Sequence, residues 1–204
     1  MVTMRFLSTR SAVVVGVLLT AASLYAAAPL SKQQADLFSQ KIAQIAAQGE
    51  SAQKPGTHRT ALSESELNSW FTYAAKPLLP AGVTEPRVTM VGNGKLAGQA
   101  TVDLDAIAKQ KSAAGGFGIW NLLSGKVPVN VAGTLRSKDG SATFDVESAD
   151  INGVPVPKTF LQEVVSYYSR SPKNPQGVSI DGAFALPAAI RQIDVGAGQA
   201  VIVQ

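Results

Sequence analysis

The sequence predicts an α+β fold in which a curved antiparallel sheet packs around amphipathic helices. Two observations carry this: apolar residues recur at helical spacing in three segments, and they alternate with polar residues in about six others. A third, the Gly- and Asn-rich pairs between the alternating runs, marks hairpin turns. Strands with one apolar and one polar face belong to an antiparallel sheet that is wet on one side, and one-sided helices cover the other.

Residues 1–28 have the layout of a secretory signal, with Arg5 and Arg10 ahead of an apolar run from Ala12 to Leu19 and small residues up to Ala28. Ala26-Ala27-Ala28 satisfies the small-x-small rule, but Pro29 would then follow the cut and hinder it. The cut therefore falls earlier, after Ala22, or the segment stays on as an anchor. Nothing later in the chain is apolar enough to span a bilayer, so the expected location is periplasmic or secreted. Residues 29–58 form an N-terminal helix and linker, and 59–204 the α+β domain. The first helix runs from Ser31 to Gln48, with Phe38, Ile42, Ile45 and Ala46 on one face and Ser31 and Gln34 as a capping box. A polar linker, 49–58, leads to a short strand, Arg59 to Leu62.

Ser63 and Glu66 have capping-box spacing and start a second helix, whose stripe is Leu67, Trp70, Phe71 and Ala74 and which stops before Pro77. Arg87 to Leu104 and Val127 to Ile151 alternate with period two about the turns Gly92-Asn93-Gly94 and Asp139-Gly140, so each is a hairpin. A third helix opens at Pro157 and stacks Phe160, Leu161, Val164, Val165 and Tyr168 on one flank. Val178 to Leu186 and Ala189 to Val203, with a Gly196-Ala197-Gly198 turn, return to strand pattern.

Composition narrows the chemistry. The chain has no cysteine, which excludes disulfides, thiolate metal sites and an N-terminal lipidated cysteine. Of its 18 Lys and Arg, two lie in the signal, which leaves 16 against 14 acids, a net of +2. The remaining cations are scattered, unlike the basic stripe of a nucleic-acid binder. His58 is the only histidine and sits in the polar linker, so a His/Cys metal site is excluded and no Ser-His-Asp set is expected. Asp103 and Asp105 would point the same way, about 7 Å apart, if their strand continues. Solvated acids at a strand end are the simpler account. Gly92-Asn93-Gly94-Lys95 lacks the full phosphate-loop spacing and is a hairpin turn. No catalytic residue, metal ligand or cofactor is expected.

Ser112 to Gly125 sets Phe117, Ile119, Trp120, Leu122 and Leu123 between glycines. Such a segment either plugs one end of the core or forms a lip that touches ligand or membrane.

Leu62-Ser63-Glu64-Ser65-Glu66-Leu67-Asn68 resembles a motif of small bacterial envelope proteins related to the tubular lipid-binding (TULIP) superfamily. The resemblance continues in order through the hairpin 87–104, Ile151-Asn152-Gly153-Val154-Pro155-Val156-Pro157 and Ile193-Asp194-Val195-Gly196. It implies a strongly curved sheet wrapped around a long helix, with an apolar groove for acyl chains and no catalytic residues; the helix from Pro157 to Ser169 resembles the wrapped element. Small residues on the apolar strand faces, Gly98, Ala100, Gly133 and Ala142, leave room either for ligand or for close packing. The expected function is an exported protein that binds a lipid or fatty acyl chain between sheet and helices, lined by Leu67, Phe71, Phe117, Trp120, Leu123, Phe160, Val164 and Tyr168. The alternative is an envelope assembly module with a self-filled groove. Intact-mass measurement on protein recovered from the envelope is expected to show an N-terminus other than Pro29; a start at Pro29 would remove the argument from the proline.

Overall fold

The computed structural model describes residues 29–51, 58–106, 125–168, 170, 175–177 and 179–204, without the side chains of Val164, Tyr167 and Tyr168. Residues 1–28, where the signal is expected, and most of 112–125 lie outside the described residues. Among the described residues, helices α1 (Lys32–Glu50), α2 (Glu64–Tyr73) and α3 (Lys158–Tyr168) accompany nine strands: β1 (Arg59–Ser63), β2 (Val83–Gly92), β3 (Lys95–Asp103), β4 (Lys126–Lys138), β5 (Ser141–Ile151), β6 (Val154–Pro155), β7 (Phe184–Ala185), β8 (Gln192–Gly196) and β9 (Gln199–Val203). The class is α+β and every strand pair is antiparallel. The strands divide into two sheets, β1-β9-β8 and β2-β3-β4-β5-β6 with β7 also on β5.

The hairpin turns follow their glycines. Asn93 and Gly94, Asp139 and Gly140, and Asn152 and Gly153 all have positive φ, the conformation a two-residue turn of the right twist requires. At the C-terminal end the expectation was partly wrong. Of Val178 to Leu186 only Phe184–Ala185 is strand among the described residues, and β8 does not begin until Gln192. Ala188 and Ala189 both have positive φ, which breaks the extended run that their neighbours' alternation suggested.

The core lies where the small sheet meets α1, α2 and the turn end of the large sheet. One cluster joins Phe38 and Ile45 of α1 to Leu62, Ile190 and Ile202; a second joins Met90 to Val195 and Ala200, with Leu96 and Leu135 against it. Leu67 packs against both. Phe38 meets Trp70 with ring centroids 5.4 Å apart, within the range of favourable tilted pairs. Between the sheets, Ser137 Oγ donates to the Ile193 carbonyl and accepts from the Ile193 N–H at 2.7 Å.

Helix α2 buries polar side chains as well as its apolar stripe. Glu66, Asn68 and Ser69 are its buried residues, while Leu67, Trp70 and Phe71 are half-buried. Ser63 and Glu66 form the predicted capping box. The other Glu66 oxygen takes Lys41 Nζ at 2.6 Å, and that ammonium also reaches the Ala61 carbonyl at 2.8 Å. Ser69 Oγ accepts from the Ser31 N–H at 3.2 Å and so ties the start of α1 to α2.

Glu64 and Asn68 satisfy the outer edge of β2. Asn68 Oδ1 accepts from the Val88 N–H and its Nδ2 donates to the Val88 carbonyl, both at 2.8 Å; Glu64 Oε2 accepts from the Met90 N–H at 2.7 Å. The Gly198 N–H donates to the Met90 carbonyl at 2.8 Å. Two residues four apart on a helix are separated by about 6 Å along its axis, and two residues two apart on a strand by nearly 7 Å. The helix can therefore stand in for a missing strand.

Strand β5 shifts register between its pairings with Ala132 and Gly133. The extra residue, Glu147, resets the alternation, so that Ala142, Phe144 and Val146 share a face with Ala149 and Ile151. Glu147 accepts from Thr134 Oγ1 at 2.6 Å and from Lys95 Nζ at 3.2 Å. These bonds, that from Thr134 foremost, hold its carboxyl below the usual range.

Removing the Asn68 amide leaves two strand-edge groups unpaired in a buried site. Asn68→Ala is expected to lower the unfolding free energy by about 2–4 kcal/mol, whereas the exposed Lys32→Ala should change it by under about 0.5 kcal/mol. Denaturant unfolding of both variants checks this, and equal midpoints would show that the Asn68 clamp contributes nothing.

Candidate functional site

The large sheet extends beyond the core, and hollows open along it: two of about 230 and 630 Å³, and a smaller one of about 130 Å³ that touches Val131 of the first and Arg87 and Gln99 of the second. The first is an apolar groove beneath α3. Val131 of β4 and Phe144 and Val146 of β5 form its floor, Leu161 and Val165 of α3 its roof, and Ile180 and Phe184 close it; Ser179 is its one polar residue and its volume is about 230 Å³. Helix α3 sits here because Leu161 and Val165 are one turn apart and face the same way. Its position is fixed by Gln162 Oε1, which accepts from the Ile180 N–H at 2.7 Å, and by an ion pair between Lys158 and Asp181. Val165 is 37% exposed, so the roof remains open on one side.

The second hollow, about 630 Å³, lies at the start of β2 and is enclosed by Phe71 and Thr72 of α2, the 3₁₀ turn Lys76–Leu78, the loop to Gly82, and residues of β2, β3 and β4. Its lining mixes Phe71, Leu79, Pro86 and Pro128 with Lys76 and Arg87. The two larger hollows share no lining residue.

The expected lining residues do not converge on one place. Leu67 joins the two core clusters and lines neither hollow, and Phe71 lines the larger one. Phe160 is half-buried on α3 but does not line the groove. Phe117, Trp120 and Leu123 lie outside the described residues, as do the side chains of Val164 and Tyr168. None of the groove's lining residues was among those expected: Val131, Phe144, Val146, Ile180 and Phe184 were missed, as were Leu161 and Val165, which stand on α3 where Phe160, Val164 and Tyr168 were expected to line it. The strand alternation was the signal for the first three, since it put them on the sheet's apolar face.

The small residues of that face serve different ends. A methyl on Gly133 would lie 2.4 Å from the Asp145 carbonyl oxygen and 2.7 Å from Phe144 Cζ, so this glycine makes room for the neighbouring backbone and ring. Ala142 is buried at 2% exposure. Above Gly98 the nearest atoms are two carbonyl oxygens at 4.0 Å, which leaves open space over the sheet.

The two aspartates do not form a facing pair on a continuing strand. Strand β3 ends at Asp103 and a helical turn begins at Leu104. Asp103 Oδ1 accepts from the Ala106 N–H at 3.0 Å, and Asp105 Oδ2 from the Gly125 N–H at 3.1 Å. Each carboxylate thus caps local backbone. The His58 carbonyl accepts from the Gln204 N–H at 3.0 Å, which extends the β1–β9 pairing by one step. Among the described residues no helix is long and apolar enough to cross a membrane.

The fold and its two larger hollows define an α+β protein with antiparallel sheets. Comparison with known proteins gives no match to a family model, a curated protein or a solved structure.

Gly133 and Gly98 separate packing from vacancy. Gly133→Ala should destabilise by about 1–3 kcal/mol through overpacking against the Asp145 carbonyl and the Phe144 ring, while Gly98→Ala should leave stability within about 1 kcal/mol or raise it, since a strand glycine carries an entropic penalty. Thermal and denaturant unfolding of both variants test the contrast, and equal destabilisation would contradict it.

Proposed function

We propose that this chain is an exported envelope protein, related to the tubular lipid-binding superfamily, that binds a lipid or other apolar ligand and performs no catalysis. The groove beneath α3 carries the reading: seven of its eight lining residues are apolar. An acyl chain that leaves water for such a groove gains about 0.8 kcal/mol per buried methylene. Gln162 and Lys158 tie the roof to residues 179–181, and lifting α3 from the sheet would admit a chain. The bulge in β5 supports the sheet curvature that the superfamily requires, because a bulge bends the strand that carries it. Signal-like residues 1–28 support export. The Ser112 to Gly125 segment completes the proposal as a lip that touches ligand or membrane.

One observation favours the assembly-module reading. The groove holds about 230 Å³, below the roughly 300–1,000 Å³ of ligand pockets. In that reading the groove is filled by its own side chains and the partner is another protein.

Organic extraction of purified protein followed by mass spectrometry, with fluorescent fatty-acid titration, distinguishes the two. A bound lipid is expected, and Leu161→Asn should weaken fatty-acid binding by about tenfold or more by placing an amide against the chain. Phe117→Ala/Trp120→Ala should lower uptake with little loss of stability. A wild type that carries and binds no lipid would favour the assembly module.

A further inference from the structure

We propose that the larger hollow, at the start of β2, is a second ligand site that takes an anionic amphiphile, with an oxyanion head on Arg87 and Lys76 and a short apolar tail against Phe71, Leu79 and Pro128. Its volume of about 630 Å³ lies within the range of small-ligand pockets. It shares no residue with the groove beneath α3, so the inference does not depend on that groove being occupied.

Charge sets the class of ligand. Lys76 and Arg87 line the hollow, and neither has an ion-pair partner among the described residues. Lys41, Arg59, Lys95, Arg136 and Lys158 each lie beside a carboxylate; Lys32, Lys126, Lys138 and Arg191 are also without an ion pair among the described residues, but line neither hollow. Two unpaired cations at the rim of a partly apolar hollow attract an anion, and the guanidinium offers a carboxylate or phosphate its paired donors. Glu85 is the one acid in the lining and opposes them in part. Proline, leucine and phenylalanine give the same hollow apolar walls that a free inorganic ion would not use.

The backbone at the rim is built for a purpose other than regular pairing. Strand β2 changes register between Thr84 and Arg87, and within that irregularity Glu85 has φ of 52° and is followed by Pro86. A non-glycine residue in the left-handed region is uncommon, and a residue before proline is normally extended. Bulges of this kind occur beside binding sites, where they redirect a side chain. This one separates Arg87, paired with Gln99, from Thr84, paired with Thr101, and opens the strand where the hollow lies.

The test is calorimetric titration of the whole protein with dodecyl phosphate, laurate, dodecyltrimethylammonium and inorganic phosphate, the amphiphiles kept below micelle-forming concentrations. Dodecyl phosphate or laurate should bind, and whichever is tighter identifies the head as phosphate or carboxylate. The cationic amphiphile and inorganic phosphate should each bind at least about tenfold more weakly. Arg87→Gln/Lys76→Gln should weaken the anionic amphiphile by about tenfold or more, and Glu85→Gln should tighten it by a few-fold. Both cations are exposed, so these variants should unfold at the wild-type midpoint. Laurate also suits the groove beneath α3, so wild type should show two classes of site: Leu161→Asn removes the one in that groove and leaves the one that the Arg87→Gln/Lys76→Gln variant loses. No binding of either anionic amphiphile overturns the proposal. So does equal binding of the cationic amphiphile at that site, retention of every class of site in the double variant, or loss of every class of site in Leu161→Asn.

Discussion

The edge of β2 is where this fold would otherwise fail. An edge strand exposes unpaired N–H and C=O groups, and here those of Val88 and Met90 face the helical layer, where water cannot serve them freely. Asn68, Glu64 and the Gly198 N–H take all of them. This arrangement fixes the direction of α2 against β2 and places Leu67 where both core clusters can pack on it. Ser63, Glu66 and Lys41 hold the start of the same helix, so a short polar motif sets the junction between helices and both sheets.

From that junction the molecule becomes less tightly filled along the large sheet. At the turn end, Met90, Leu96 and Leu135 pack against the small sheet. Farther along, Val127, Val129 and Val131 are only half-buried, and among the described side chains of α3 Leu161 and Val165 line the groove over the sheet. Gly133 shows how sheet packing removes space: the Asp145 carbonyl and the Phe144 ring occupy what the missing side chain leaves. Gly98, two pairings away, has no such neighbour. The same residue type thus closes the sheet at one position and leaves it open at another.

The two larger hollows differ in what they can hold. The groove under α3 is nearly all apolar and small, and suits part of a hydrocarbon chain. The hollow at β2 is larger and has cations at its rim and apolar walls within. An amphiphile could be served by either chemistry, but the two share no residue and respond to different substitutions.

Much of the local structure was legible in the sequence. Period-two alternation gave the two long hairpins, Asn-Gly and Asp-Gly pairs gave their turns, and Ser63 with Glu66 gave the start of α2, because each depends on residues close in the chain. Long-range partners were not legible. Asn68 reads as a solvated helix residue until Val88 lies beside it, and the division into two sheets rests on pairing between β1 and β9, more than 130 residues apart. The β5 bulge hides the unity of its apolar face, since one inserted residue reverses the sequence alternation without reversing the face. Asp103 and Asp105 appeared to share a side only while the strand was taken to continue. The sequence alone therefore determined most of the helices and hairpins and, outside the β5 bulge, their faces, which follow from backbone geometry and side-chain period, but not the break at Ala188 and Ala189. Tertiary structure decided which faces meet, which polar groups become buried and where space is left, because those depend on contacts between residues that the chain order does not bring together.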